Sequence, residues 1–214
     1  MPLGSSKEKG GFASLLLAKV LLGKILRAKY FVVAILFVVM GVASDNFGYA
    51  DEEENRRVDI SLSIFPRIVA VDNDFRSKLS PENKVKLAFL YNEDKERAQS
   101  LAKLLISKSK NIGGMRVTAN IVSIKDMLSV STETKPTAIF LSERLNKEDL
   151  DKIIDIAGKN NFIVFSPFTG DVERGVTVGI SVTNRVKPYF NIQTLKNSNI
   201  VINALLMKMS KRYE

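Results

Sequence analysis

Histidine, cysteine and tryptophan are absent from the 214 residues of this chain. Without cysteine there is no thiol chemistry and no disulfide, although an oxidising compartment permits disulfides without requiring them. Zinc sites are built mainly from cysteine and histidine, so most of them are excluded as well. General acid–base catalysis loses its most frequent residue, and no nucleophile–base pair is visible in what remains. We therefore predict a protein that is not an enzyme and that has no metal site or cofactor.

Basic residues are not concentrated in one segment of the chain. The net charge is +9, from 32 Lys and Arg against 23 Asp and Glu, and the basic residues are spread along the sequence. Proteins that read nucleic acids usually show a concentrated basic face, or aromatic residues interleaved with basic ones. Neither pattern is present, so we predict that nucleic acid is not a partner.

The first fifty residues have the pattern of an export signal. A positive cluster at 24–29 precedes the apolar run Tyr30–Ala43 and the sequence Gly48-Tyr49-Ala50. This order is typical of a secretory signal, whereas a membrane span needs about 20 apolar residues. We predict cleavage of residues 1–50 after Ala50, with Ala43-Ser44 as a weaker site. An uncleaved anchor is the alternative, because residues 12–26 are also rich in apolar side chains. In either case the domain 51–214 is periplasmic.

Strand and helix patterns alternate through the middle of the chain. Apolar spacing predicts a first helix over about Asp59–Ala70, preceded by the solvated segment DEEENRR at 51–57. Continuous apolar runs and period-two alternation then predict strands separated by amphipathic helices. The predicted strands lie at Val85–Tyr91, 115–124, Pro136–Ser142 and Asn161–Ser166, with helices capped by Asn92 and Asn146. This order predicts an α/β fold, a three-layer sandwich around a mostly parallel sheet.

The segment ERGVTVGISVTNRVKPYFNI, residues 173–192, departs from this order. Its apolar residues alternate on both sides of the turn Thr183-Asn184-Arg185, and strands joined by so short a turn are antiparallel. Pro188 has no amide hydrogen to donate, so we expect its strand at the sheet edge. An unprotected edge favours self-association, which leaves a homodimer open. We predict that NIVINALLMKMSKRY, residues 199–213, forms a last helix on the sheet.

Polar and aromatic residues follow the predicted strands at their carboxyl ends, where open α/β sheets bind ligands. These side chains can line one crevice for a small solute. The candidate ligand-binding residues are Tyr91, Asn92, Ser142, Glu143, Ser166 and Phe168. The competing interpretation is that they cap helices and complete turns by satisfying loose backbone groups.

The loop DVERG, next to the predicted hairpin, carries charges of both signs. Loops on a rigid sheet often carry recognition, and an edge hairpin can accept a partner strand. We therefore take Asp171, Glu173 and Arg174, together with Tyr189, as the candidate partner-binding residues. The competing interpretation is that these charges pair with neighbouring residues.

Two C-terminal segments, GDVERGVTVGI and RVKPYFNIQTLKNSNIVINALLMKM, resemble the corresponding half of the YfiR-like proteins, also classed as DUF4154. The points of similarity are Gly175 before the strand, Phe190-Asn191-Ile192 at the hairpin end, Thr194-Leu195 opening a short helix, and the aliphatic segment Ile202–Leu206. NIGGMRVTANIV also resembles the family's Gly-Gly turn into a strand. The resemblance covers residues 55–211. Family members often carry a Trp-Pro pair and paired cysteines, which this chain lacks, so no disulfide switch carries over.

The resemblance implies a periplasmic regulator in cyclic-di-GMP signalling. Such a protein binds, and inhibits, the periplasmic part of an inner-membrane diguanylate cyclase, and a sensor kinase ectodomain is the other partner that the resemblance implies. The alternative function is that of a periplasmic protein that binds small solutes in the crevice at the strand ends. Both functions fit an exported domain without visible catalytic groups.

Overall fold

Helices and strands alternate as the sequence predicts. A computed structural model describes residues 52–129 and 135–214, and the predicted export signal lies outside these residues. Helix α1 includes residues 52–70, and a 3-10 turn follows at Phe75–Lys78. The further elements are β1 Val85–Tyr91, α2 Lys95–Lys108, β2 Asn111–Ile112, β3 Met115–Ser123, α3 Ile124–Leu128, β4 Ala138–Leu141, α4 Lys147–Asn160, β5 Ile163–Phe165, β6 Val178–Val182, β7 Val186–Asn191, α5 Ile192–Asn197, α6 Ala204–Met209 and β8 Lys211–Tyr213.

The strands of the described residues form one sheet, in the order β2-β3-β1-β4-β5-β6-β7-β8. Strand β1 pairs in parallel with β3 and β4, and the parallel run continues through β5 to β6. Strand β2 is antiparallel to β3, β7 is antiparallel to β6, and β8 is parallel to β7. The predicted α/β fold, with a mostly parallel sheet and a C-terminal antiparallel hairpin, is confirmed.

Helices cover both faces of the sheet, which confirms the three-layer arrangement. On one face, Phe65 of α1 packs against Phe140 of β4 with ring centroids 5.3 Å apart, and Phe140 contacts Phe89 of β1 at 5.3 Å. Neighbouring side chains of a strand point to opposite faces, so Ala88 faces the other way, where it lines a cavity with Met127 of α3. Helix α3 contacts α4 on that second face.

The predicted hairpin is confirmed in its position and register. Strands β6 and β7 pair from Val178 with Phe190 to Val182 with Val186. Gly179 of β6 lies close to the end of β5, because a Cβ atom placed there would stand 2.8 Å from the carbonyl oxygen of Ser166. A side chain at this position therefore does not fit without a shift of the backbone.

The single C-terminal helix predicted over residues 199–213 is wrong. Ile202 forms an isolated β-bridge with Asp72, α6 covers only Ala204–Met209, and the chain then continues as β8. Strand β8 pairs with β7 only from Tyr189 to Asn191. Among the described residues Pro188 therefore stays at the sheet edge, as predicted, whereas the second half of β7 is covered by β8. The bridge and the strand pairing divide the apolar run into three short pieces, which helical periodicity alone does not reveal.

One of the two predicted helix caps is displaced. Helix α2 is capped by Asp94, whose side chain accepts the Arg97 N–H at 2.8 Å, and Asn92 lies too early in the chain to serve as its cap. Asp and Asn are similarly good capping residues, so the sequence does not decide between these two positions. Asn146 caps α4 as predicted and accepts the Asp149 N–H at 2.9 Å.

Candidate functional site

The predicted ligand crevice lies between β1 and β4, at their carboxyl ends. The chain leaves β1 for β3 on one side and reaches β4 on the other, which is the switch point where such sheets bind ligands. There the Glu143 carboxylate accepts the backbone N–H groups of Asn92, Glu93 (2.7 Å) and Asp94 (3.2 Å). Successive N–H groups of this kind form an anion site. The chain's own carboxylate occupies that site.

Two other candidate ligand residues at this crevice, Ser142 and Tyr91, differ in their burial. Ser142 is fully buried, and its hydroxyl has no hydrogen-bond partner within the described residues. The Ser61 hydroxyl of α1 is buried in the same unpartnered way. Tyr91 is half-buried and packs against the core. The structure thus brings Tyr91, Asn92, Ser142 and Glu143 to one edge of the sheet, with Ser142 below the surface, Tyr91 and Glu143 half-buried, and Asn92 exposed.

The loop of residues 166–174, which we call the rim loop, is fixed from below by Asp171. The Asp171 carboxylate accepts the Ser166 hydroxyl at 2.6 Å and Arg174 Nη1 at 3.3 Å, and Ser166 Oγ accepts the Phe168 N–H at 3.1 Å. Burial raises the pKa of the Asp171 carboxyl above its usual value, while Ser166 and Arg174 act in the opposite direction. Asp171 and Ser166 hold this loop from within, whereas Glu173 and Arg174 are exposed on it.

Helix α1 covers the crevice. In the segment 51–57, which is expected to be solvated, the described residues Glu52, Glu53, Asn55 and Arg56 are exposed, whereas Glu54 and Arg57 are half-buried. Arg57 donates through Nε to the carbonyl of Pro167 at 3.1 Å and through Nη2 to that of Ile180 at 2.9 Å. Burial lowers the pKa of the Arg57 guanidinium below its usual value, but arginine remains charged in proteins. These bonds join α1 to the end of β5 and to β6. The helix therefore starts over the carboxyl edge of the sheet.

A second arginine completes this cover. Arg144 Nε lies 3.0 Å from the Glu54 carboxylate of α1, and its Nη1 donates to the Thr169 carbonyl at 3.1 Å. Its guanidinium also stands 5.2 Å from the ring centroid of Phe168, which is 2% exposed. We call Glu54, Arg57 and Arg144 the arginine cap. The candidate ligand residue Phe168 lies beneath this cap.

A small cleft of about 210 Å³ remains open beside the cap. It is lined by the rim loop, the hairpin, Arg57 and Lys211. Tyr189 lies in its wall, with Lys211 Nζ 4.3 Å from the ring centroid. Burial, followed by the hydrogen bond and the negative charge of Glu173, raises the pKa of Tyr189 to about 12. Lys211 is not among the site residues predicted from the sequence, because it belongs to β8, a segment predicted as helix.

Helix α6 and the residues around it expose apolar side chains. Leu205 and Met209, one helical turn apart, are 68% and 61% exposed, and Val201 is 53% exposed. No residue of α6 is buried. Residues four apart on a helix share one face, so Leu205 and Met209 form a single apolar surface, which we call the α6 surface. Along the chain this surface precedes Lys211 of the cleft wall, which follows Met209 by two residues.

Neither a metal site nor a membrane span is found in residues 52–129 and 135–214. No cluster of three or more His, Cys, Asp or Glu in these ranges has the geometry to hold a metal ion. None of the helices in these ranges combines the length and the apolar character needed to cross a bilayer.

No protein-family model matches the chain, and no curated protein does. Among solved structures it is similar to an ABC domain in complex with L-Trp from Streptococcus pneumoniae, at 14% identity and a TM-score of 0.44, covering 68% of this chain and 61% of that one. It is also similar to a ligand-free, open substrate-binding protein with adhesive properties from Clostridium difficile, at 13% identity and a TM-score of 0.47, covering 66% of this chain and 58% of that one. A third similar structure is a conserved domain protein from Vibrio cholerae, at 16% identity and a TM-score of 0.44, covering 64% of this chain and 57% of that one. The chain spans about three-fifths of the length of each.

Proposed function

We propose that this protein is an exported regulator that acts by binding another protein and that it has no catalytic activity. Its partner is the periplasmic part of an inner-membrane signalling protein, a diguanylate cyclase or a sensor kinase, whose output it inhibits. The partner class comes from the resemblance to the YfiR-like proteins. The observation that carries the protein-binding role is the closure of the crevice at the strand ends by the chain's own side chains.

The crevice offers little to a solute. Glu143 occupies the N–H groups that would hold an anionic ligand, and the arginine cap covers Phe168. The cleft that stays open measures about 210 Å³, below the roughly 300–1,000 Å³ of typical ligand pockets. These contacts support a role in which the carboxyl edge is a rigid platform.

The surface around that edge has the composition of a protein-binding site. Leu205 and Met209 are exposed apolar side chains, and Glu173, Arg174 and Lys211 are exposed charged ones. An apolar centre with a charged rim is the usual anatomy of a protein interface, and exposed apolar patches often mark such sites. The rim loop is held by buried hydrogen bonds, so its charges are presented in a fixed position, which lowers the entropic cost of binding.

The test uses a charge exchange that leaves the net charge unchanged. The double variant E173K/K211E reverses one exposed charge of the rim loop and one of the cleft wall and leaves the Asp171–Arg174 pair intact, and E148K/K152E makes the matched exchange on α4. Detergent-solubilised inner membranes are passed over the immobilised full-length chain, and retained proteins are quantified by mass spectrometry. We expect the wild type and the α4 variant to retain a membrane protein with a cyclase or kinase output domain, and the rim variant to lose it. Equal retention by all three proteins would refute the proposal.

Binding of a small solute is the second candidate function. The observation in its favour is that Arg57, Glu173 and Lys211 place charges of both signs around the open cleft. A solute that binds only the folded protein raises its stability, by about 2.7 kcal/mol at 100 times the dissociation constant. A thermal-shift screen of amino acids, sugars and organic acids separates the two functions. A stabilisation that the K211E variant abolishes, together with no retained membrane protein, would favour the solute.

A further inference from the structure

The outer edge of β3 is only partly paired. Strand β2 pairs with β3 at Met115 and Arg116 alone. The Val117 N–H donates to the Lys110 carbonyl at 3.0 Å, on the side away from β1. In a parallel ladder alternate residues direct their backbone groups to the same side, so Ala119 and Ile121 also direct theirs outward. No hydrogen bond from these outward groups is found within residues 52–129 and 135–214.

An apolar groove runs beside this open edge. It has a volume of about 610 Å³ and lies between α2 and β3. Ala102 and Ile106 of α2 form one wall, and Ala119 and Ile121 of β3 form the other. When a peptide adds as a strand to a sheet edge, the backbone supplies the hydrogen bonds and alternate side chains enter neighbouring pockets. The edge and the groove have this arrangement.

The charges around the groove indicate the chemistry of the segment that fits it. Lys103 and Lys110 line the groove, and Arg116 follows the turn into β3. None of these three takes part in an ion pair among the described residues. A second copy of the chain would bring the same positive charges against this edge, and like charges across an interface disfavour association. A segment with acidic side chains would be attracted.

We propose that the β3 edge binds an extended acidic segment of a partner protein. The segment adds a strand beside Ala119 and Ile121, directs alternate apolar side chains into the groove, and places carboxylates near Lys103 and Lys110. This site lies at the end of the sheet opposite β8. It is therefore independent of the rim loop and of the proposed function, and either one can fail without the other.

The test measures binding of two synthetic peptides to the full-length chain in mild detergent, by fluorescence anisotropy. One peptide has four Val-Glu repeats and the other has four Val-Lys repeats. We expect the acidic peptide to bind at least tenfold more tightly than the basic one. The K103E/K110E variant should bind the acidic peptide at least tenfold more weakly than the wild type and should bind the basic peptide instead. The matched control K187E/K196E, with the same change of net charge on exposed lysines of β7 and α5, should bind like the wild type.

A second variant tests the backbone part of the proposal. Ala119→Pro removes an outward N–H without removing a donor to β1, and proline is tolerated on the open side of an edge strand. We expect this variant to bind the acidic peptide at least tenfold more weakly than the wild type. If A119P does not fold, as judged by circular dichroism, the lysine variants decide alone. The proposal is overturned if the two peptides bind equally or not at all, if K103E/K110E matches the control, or if sedimentation shows a dimer that A119P dissociates.

Discussion

Arg57 joins helix α1 to the carboxyl edge of the sheet, and Arg57→Ala removes that connection. Its guanidinium donates to the carbonyls of Pro167 and Ile180 at 3.1 and 2.9 Å. Hydrogen bonds from charged groups contribute about 1.5–3 kcal/mol each, and the half-exposed position of Arg57 favours the lower end because water can replace part of the loss. We therefore expect Arg57→Ala to lower the free energy of unfolding by about 2–3 kcal/mol.

The assay is urea denaturation followed by circular dichroism, in which the midpoint and the slope give the free energy of unfolding. Arg56→Ala is the matched control, because Arg56 is the exposed neighbour on the same helix, and we expect it to change stability by less than about 0.5 kcal/mol. Arg57→Lys keeps the charge but loses the planar fork, so its effect should lie between the two. If Arg57→Ala and Arg56→Ala destabilise the protein equally, the Arg57 side chain does not anchor α1.

Three further predictions concern the rim loop and the hairpin. Tyr189 should titrate near pH 12 when followed by ultraviolet absorbance, because burial and Glu173 raise its pKa. Its contribution to the free energy of unfolding is present below pH 10 and is lost as the pH rises toward 12. Tyr189→Phe should remove that pH dependence. Asp171→Ala should lower the free energy of unfolding by about 2–3 kcal/mol, because the Ser166 hydroxyl loses a buried acceptor. Asp171→Asn keeps an acceptor without a buried charge, so its loss should be smaller by at least about 1 kcal/mol. Equal urea midpoints for the two variants would contradict this difference. Gly179→Ala places a Cβ 2.8 Å from a backbone oxygen and should destabilise by about 1–3 kcal/mol, which thermal unfolding measures.

The central strands could be predicted because their local pattern and their environment agree. Strands β1, β4 and β5 are covered on both faces, and their sequences are accordingly continuous apolar runs. The hairpin followed from period two together with a short turn. The position of Glu143 at the crevice followed from topology alone, since the carboxyl ends of parallel strands meet at one edge. The identity of the hydrogen-bond partners of Glu143 could not be predicted from topology.

The arginine cap and the C-terminal pieces depend on contacts that no local pattern contains. Arg57 donates hydrogen bonds to Pro167 and Ile180, which follow it in the chain by 110 and 123 positions. One signal was present: the apolar stripe of α1 at Val58, Leu62 and Phe65 extends backward by helical spacing to Glu54, which places that carboxylate on the inner face. Strand β8 has no such signal. Three exposed residues become a strand only because β7 offers them an edge.

Photo-crosslinking from the rim loop reports directly on whether a signalling protein binds at this edge. The full-length chain carries p-benzoylphenylalanine at position 173 in place of glutamate, or at position 148 of α4, where the native glutamate side chain is 81% exposed, and it is irradiated in living cells. We expect one dominant adduct from position 173, with a membrane protein that carries a cyclase or kinase output domain, and none from position 148. Identical adduct patterns from the two positions, or no adduct from position 173, would contradict it.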